Sequence, residues 1–231
     1  MKIAIVKLSA LGDIVHAMVV LQFIKKNYPE SVIDWFVEKR FIRVLENNPH
    51  INQIYQVSLK SVNKSKSICL LLKELRKIRK LGKYDLVIDM QGLLKSALVA
   101  RILPSDITLG FDKESLRESL ASIFYNRTYK IGYEENVIER NLALVANALN
   151  FSFEKQDIHS KEAFLYPSQK YRFDAISNKK QNIALIPGAS YPSKCYPAEK
   201  FAELITQIDA NFLIIWGNER EKLIVEEIKD L

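Results

Sequence analysis

The sequence predicts an α/β protein, one full doubly wound unit on a parallel sheet followed by the opening of a second unit of the same kind. Short continuous apolar runs, Ile3 to Val6, Val32 to Val37, Ile54 to Val57 and Leu86 to Ile88, read as strands buried on both faces. Segments of helical periodicity alternate with them, the pattern of a sheet covered on two sides. Turn-prone segments containing Gly12 and Gly92 follow the first and last of these runs. Those are the carboxyl ends of strands, where open parallel sheets bind ligands.

Taken in order, Ile3 to Val6 ends in the turn Ser9-Ala10-Leu11-Gly12-Asp13. Ile14, Val15, Met18, Val19, Leu21, Gln22 and Ile24 then recur at helical spacing. Two strands follow, Val32 to Val37 and Ile54 to Val57. Residues 58–83 are basic: Lys60, Lys64 and Lys66 in a polar loop, then Lys73, Arg76, Lys77, Arg79, Lys80 and Lys83 opposite Leu71, Leu72, Leu75 and Ile78. That spacing is a cationic amphipathic helix, packed on the sheet through its leucines or, in a functional reading, turned with the loop toward anionic lipid. Leu86 to Asp89 with Gln91-Gly92 repeats strand and turn before a helix from Leu94 to Leu103. A helix from Val137 to Leu149 and a polar stretch to Gln181 precede a new strand at Ile183, with the domains divided as 1–165 and 166–231. The second segment runs strand, Pro187-Gly188 loop, helix from Ala198, strand Phe212 to Trp216 and a helix from Glu219. Two strands and two helices do not bury a parallel sheet on both faces, which takes a domain of about 100 residues.

Composition narrows the class. The chain has 231 residues, 48% of them hydrophobic, and a formal charge of +7 from 34 Lys plus Arg against 27 Asp plus Glu. That balance suits a folded protein that attracts polyanions: phosphorylated substrates, lipid headgroups or nucleic acid. Nucleic acid ranks last, because the basic stretch lacks interleaved aromatics or a reading motif. Two cysteines, Cys69 and Cys195, with no CxxC, fit a reducing cytoplasm and argue against a zinc site. No window reaches the roughly 18 apolar residues of a membrane span, and the amino terminus lacks a secretory signal, so membrane contact is expected to be peripheral.

The turn after the first strand holds one glycine, so it is neither a dinucleotide fingerprint nor a P-loop. Asp13 there has two readings: a general base taking the proton of an attacking hydroxyl, or a cap on the helix that begins near Ile14. His16, one turn on, reads as a packed or surface residue. Arg117 and Arg140 are guanidinium forks able to bind phosphate or carboxylate, or else helix-surface ion-pair partners. Pro187-Gly188-Ala189-Ser190-Tyr191-Pro192-Ser193-Lys194 follows a strand and precedes a helix, so amides, hydroxyls and Lys194 can surround a diphosphate; a stiff connection is the alternative. Trp216-Gly217-Asn218-Glu219 ends a strand, with Glu219 either facing ribose hydroxyls or serving, with Asn218, the start of a helix.

Together these segments resemble the lipopolysaccharide heptosyltransferases, type I above the others. The resemblance rests on Val6 to His16, Asp89-Met90-Gln91-Gly92-Leu93-Leu94-Lys95-Ser96, Gly110-Phe111-Asp112, Arg117 to Ser122, Phe124-Tyr125-Asn126, Glu139-Arg140-Asn141, the loop from Pro187 to Pro197, and Trp216-Gly217, in the family's order along nearly the whole chain. It implies a GT-B fold, an N-terminal Rossmann-like acceptor domain followed by the beginning of a Rossmann-like donor domain. The implied reaction transfers heptose from ADP-heptose to the Kdo of Kdo2-lipid A with inversion. ADP-heptose enters as substrate, with no cofactor and no obligatory metal, at the cytoplasmic face of the inner membrane. Asp13 then matches the catalytic base. Ser9, Ala10, Gly12, Lys60, Lys64, Gln91, Arg117 and Arg140 match the acceptor side. Ser190, Lys194 and Glu219 match the donor side, with Glu221 as a second candidate for the ribose acid.

Relatives implied by this resemblance continue for roughly another hundred residues, through an Asp-Thr-Gly loop that meets the donor. The expectation is therefore weak donor binding and little turnover by this polypeptide alone, checked by calorimetric titration with an ADP-sugar. Two other readings stand beside the type I enzyme: a related heptosyltransferase with another acceptor, such as type II, and a non-catalytic module binding acidic glycolipid or membrane.

Overall fold

A computed structural model describes residues 1–58, 76–167, 174–189 and 191–231. The chain divides into two compact units, Met1–Ser168 and Gln169–Leu231. The basic loop with Lys60, Lys64 and Lys66, together with Cys69, lies outside the described residues, as does the first part of the cationic helix. Its described part, 76–79, is helical, with Ile78 buried between exposed basic neighbours.

The first unit is a six-stranded parallel sheet in the order β3-β2-β1-β4-β5-β6. The strands are β1 Lys2–Val6, β2 Val32–Glu38, β3 Gln53–Val57, β4 Tyr84–Asp89, β5 Ser105–Phe111 and β6 Arg127–Tyr129. Ile3 to Val6 are fully buried because β1 is central and covered on both sides. Its alternate residues serve separate cores. Ile3 and Ile5 pack with Ile14, Met18, Leu21 and Leu142 on one face, while Ala4 and Val6 pack with Phe36, Tyr84, Val87 and Val99 on the other. The helices are α1 Leu11–Met18, α2 Val20–Asn27, α3 Leu94–Ile102, α4 Val137–Leu149 and α5 Lys155–His159. Sheet order reverses between β1 and β4, so the loops leaving those two strands diverge and open a crevice at their carboxyl ends.

Several elements differ from the sequence reading. The helix after β1 starts at Leu11, not near Ile14, and is interrupted at Val19, giving α1 and α2 in place of one helix. Strands β5 and β6 were not read from the sequence: β5 opens on polar Ser105-Asp106 and carries Gly110, and β6 has three residues, too few for a pattern. The polar stretch after α4 contains the short α5.

The second unit holds β7 Asn182–Leu185 and β8 Asn211–Ile214, paired in parallel, with α6 Ala198–Gln207 and α7 Glu219–Asp230. Ile183, Leu185, Phe212 and Ile214 pack against Phe201, Ile205, Ile224 and Ile228. Ala184 and Ile186, on the opposite side chain phase, are exposed, so the helices cover one face of this small sheet.

Candidate active site

Chain that leaves β1 is fixed before it becomes a loop. The Lys7 amide donates to the Phe36 carbonyl (3.2 Å), the Glu38 amide to the Leu8 carbonyl (3.1 Å), and the Met90 amide to the Val6 carbonyl (3.1 Å). The Lys7 side chain turns into the protein, 6% exposed, and its ammonium donates to the Met90 carbonyl at 3.0 Å. Burial lowers the Lys7 pKa, against the opposing pull of the Asp13 and Asp89 carboxylates.

Gln91 clasps the two loops. Its Oε1 accepts from the Leu8 amide (2.7 Å) and the Ser9 amide (3.1 Å), and its Nε2 donates to Ser9 Oγ (3.1 Å). Lys95 also donates to Ser9 Oγ (3.3 Å) while paired with Glu38 (3.1 Å). Ala10 and Gly12 are exposed, and nothing lies within 4 Å of the place a Gly12 side chain would occupy. Asp13 is exposed in the first turn of α1, one carboxylate oxygen 3.4 Å from the Ala10 amide. The two readings of this residue are therefore compatible: it closes the helix start with one oxygen and still presents its carboxylate outward.

The β4 turn is held from beneath. Fully buried Asp89 accepts from the amides of Gln91 (2.8 Å) and Gly92 (3.2 Å) on one oxygen and from the Tyr125 hydroxyl (2.7 Å) on the other. Gly92 has φ +69° and faces Leu116 so closely that a Cβ would lie 2.2 Å from its Cδ2, so the turn closes only without a side chain.

Beyond β5, Asp112 Oδ1 accepts from the Ser115 amide (2.9 Å), and Ser115 Oγ accepts from the Ile131 amide (2.9 Å). The Ser115 carbonyl in turn receives Arg140 Nη2 at 2.6 Å, and the Tyr133 carbonyl receives Nη1 at 3.3 Å. The guanidinium lies between the rings of Phe111 (4.8 Å) and Tyr133 (5.0 Å). Burial lowers its pKa, and its buried Nε has no hydrogen-bond partner among the described residues. Neither arginine is the helix ion-pair partner of the alternative reading. Arg117 is exposed in a non-helical loop, and neither forms an ion pair among the described residues.

These side chains line one cleft of about 280 Å³: Lys7, Ser9, Ala10, Asp13, Gln91, Arg117 and Arg140, with Phe111 and Tyr133 as aromatic walls. Gly12 is adjacent without lining it. Lys7, Arg117 and Arg140 around a single exposed carboxylate make a site for an anion that also offers a proton to be removed. Lys7 was not read as a site residue. The available signal was a lysine ending an otherwise apolar buried run. Lys60 and Lys64 lie outside the described residues.

In the second unit Ser190 is outside the described residues. Lys194 is exposed in a 3-10 turn, Pro192–Lys194, with its ammonium 5.7 Å from the Tyr191 ring centre. Asn218 caps α7, its Oδ1 accepting from the Glu221 amide at 3.1 Å. Glu219 is exposed, whereas the Glu221 carboxylate folds back to accept from the Gly217 amide (2.7 Å) and Asn218 Nδ2 (2.7 Å) and packs against Gly188. Of the two glutamates it is Glu221 that reaches the ends of β7 and β8. Among the described residues no group of three His, Cys, Asp or Glu comes together to hold a metal ion.

The sequence profile of glycosyltransferase family 9 (heptosyltransferase) matches residues 71–231. The chain belongs to glycosyltransferase family 9. Lipopolysaccharide heptosyltransferase 1 of Campylobacter coli is 41% identical over 242 aligned positions, which cover all of this heptosyltransferase chain and 69% of that relative. The corresponding protein of Escherichia coli K12 is 28% identical over 98% of the chain and 72% of its own length. The solved structure of the Escherichia coli heptosyltransferase WaaC with ADP superposes with a TM-score of 0.83 at 26% identity, covering the whole chain and 72% of WaaC. The type I likeness, the glycosyltransferase class and the α/β fold of GT-B type read from the sequence are borne out.

Proposed function

We propose that this heptosyltransferase transfers L-glycero-D-manno-heptose from ADP-heptose to the Kdo of Kdo2-lipid A in assembly of the lipopolysaccharide inner core. The exposed Asp13 carboxylate on the rim of a cleft lined by Lys7, Arg117 and Arg140 carries the reading. The relatives named heptosyltransferase 1 support it, as does WaaC solved with ADP-2-deoxy-2-fluoro heptose.

In the proposed step the acceptor hydroxyl oxygen attacks the anomeric carbon while Asp13 takes its proton. The bond from that carbon to the phosphate oxygen breaks, ADP leaves with the electron pair, and the centre inverts. Arg140 and Arg117 receive the acid groups of the acceptor; the free Nε of Arg140 is the buried donor such an anion satisfies. Ser9, Ala10, Gly12 and Gln91 shape the acceptor loop, with Lys60 and Lys64 contributing charge. On the donor side Ser190, Lys194 and the amides around them hold the diphosphate, and Glu221, in place of Glu219, meets the ribose. ADP-heptose is consumed as substrate, and the protein groups named carry the step without a cofactor. Attachment is peripheral, at the anionic cytoplasmic leaflet; no helix among the described residues is long and apolar enough to cross a membrane.

Asp13→Ala tests the reading. Transfer of heptose to a Kdo2-lipid A analogue falls by about 10²–10⁴-fold while acceptor binding persists. Unchanged transfer would remove Asp13 from the mechanism.

A further inference from the structure

Asp89 carries no role in the transfer step, yet its carboxylate is buried beneath the turn that clasps the loop bearing Asp13. It is fully buried, and burial raises its carboxyl pKa against the hydrogen bonds from Tyr125, Gln91 and Gly92. Its two oxygens divide the donors, one taking the Gln91 and Gly92 amides and the other the Tyr125 hydroxyl.

Tyr125 reaches this carboxylate by lying across β5 at Gly110, where an added Cβ would stand 2.3 Å from the ring. Burial and the neighbouring charge push its hydroxyl pKa up, so it stays a donor. From Asp89 the contacts run without a gap: to the Gln91 and Gly92 amides, from the Gln91 side chain to the Leu8 and Ser9 amides and Ser9 Oγ, and along the chain to Asp13.

We infer that Tyr125 and Asp89 are positioning residues: their hydrogen bond sets the turn after β4, so that Gln91 holds the Leu8–Ser9 backbone and keeps the loop bearing Asp13 in one place. Asp13 as base belongs to the proposed function, and the relay deepens that reading. The protein contains its own control. Tyr84 donates to fully buried Asp34 at 2.8 Å, the same kind of bond, at the amino-terminal end of β4 away from the cleft.

Hydrogen exchange on the full 231-residue chain tests the relay without relying on turnover. In Tyr125→Phe the Leu8 and Ser9 amides exchange roughly tenfold faster or more, the effect of a lost buried hydrogen bond. In Tyr84→Phe they exchange as in the parent, although both variants lose similar thermal stability. Transfer by Tyr125→Phe shows kcat down by about tenfold with the KM for ADP-heptose unchanged. Equal exchange at Ser9 in the two variants would overturn the inference. Should Tyr125→Phe not fold, Gln91→Leu must free the same amides, and protection there identical to the parent would overturn it equally. Faster exchange in Tyr125→Phe together with unchanged transfer in Asp13→Ala would support the relay and remove Asp13 as the base.

Discussion

Lys7 brings a positive charge to a place that water scarcely reaches, held by one carbonyl of Met90 and the field of Asp13 and Asp89. Such a group costs stability for the sake of the cleft it faces. Its folded pKa is lowered below that of the unfolded chain, so the unfolded state binds more protons between the two values. Stability conferred by the wild-type residue therefore rises with pH across that window, up to about 10.5. Lys7→Met should be at least as stable as the parent at pH 7, with its advantage in Tm shrinking as pH rises toward 10, and should lose acceptor affinity by about tenfold or more. Thermal melts across pH, with acceptor titration at pH 7, check both. A Tm difference independent of pH would mean that Lys7 is not held against its own desolvation. Arg140 and Lys7 also show where single residues escape a one-dimensional reading. The guanidinium fork was legible, but its seat between Phe111 and Tyr133 joins residues from β5 and two later segments, and no spacing along the chain announces it.

At the scale of elements, the strands that were recognised are those with uninterrupted apolar runs, and the ones missed owe their place to neighbours. Strand β5 survives a glycine because β4 and β6 pair with it on either side, and because Gly110 admits the Tyr125 ring. Gly110→Ala is thus predicted to be overpacked, not merely stiffened: a loss of roughly 1–3 kcal/mol, seen as a Tm lowered by several degrees. The substitution should also speed exchange at Ser9, since the displaced ring carries the hydroxyl that Asp89 accepts. A melt and an exchange profile matching the parent would show that the ring moves aside freely. The break between α1 and α2 has a similar origin. Apolar periodicity from Ile14 to Ile24 fits one helix, and the interruption at Val19 leaves both pieces packed on the same core.

For the whole molecule, the excess of 34 basic over 27 acidic residues is the property that acts at a distance. Electrostatic attraction to an anionic surface is screened by salt, the Debye length falling from about 10 Å at 0.1 M to about 3 Å at 1 M. Sedimentation with vesicles containing anionic phospholipid is expected to capture the chain at low salt and to release it as salt approaches 1 M, with neutral vesicles ineffective throughout. Capture that persists at high salt would point to apolar insertion instead of charge.

The sequence by itself determined the α/β class, the alternation that makes the sheet parallel, the boundaries of α4 and the place of Asp13 at the end of the first strand. These follow from local rules: unbroken apolar runs need burial on both sides, and a carboxylate in a turn after a strand stands at a carboxyl edge. Only the tertiary structure decided that Lys7, Arg117 and Arg140 share one cleft with Asp13, that Glu221 and not Glu219 folds back to the strand ends, and that Tyr125 reaches Asp89. The first of these depends on strand order, which brings loops some eighty or more residues apart to the same edge. Strand order is fixed by how the two faces of the sheet are buried, a property of the folded whole that no window of sequence contains.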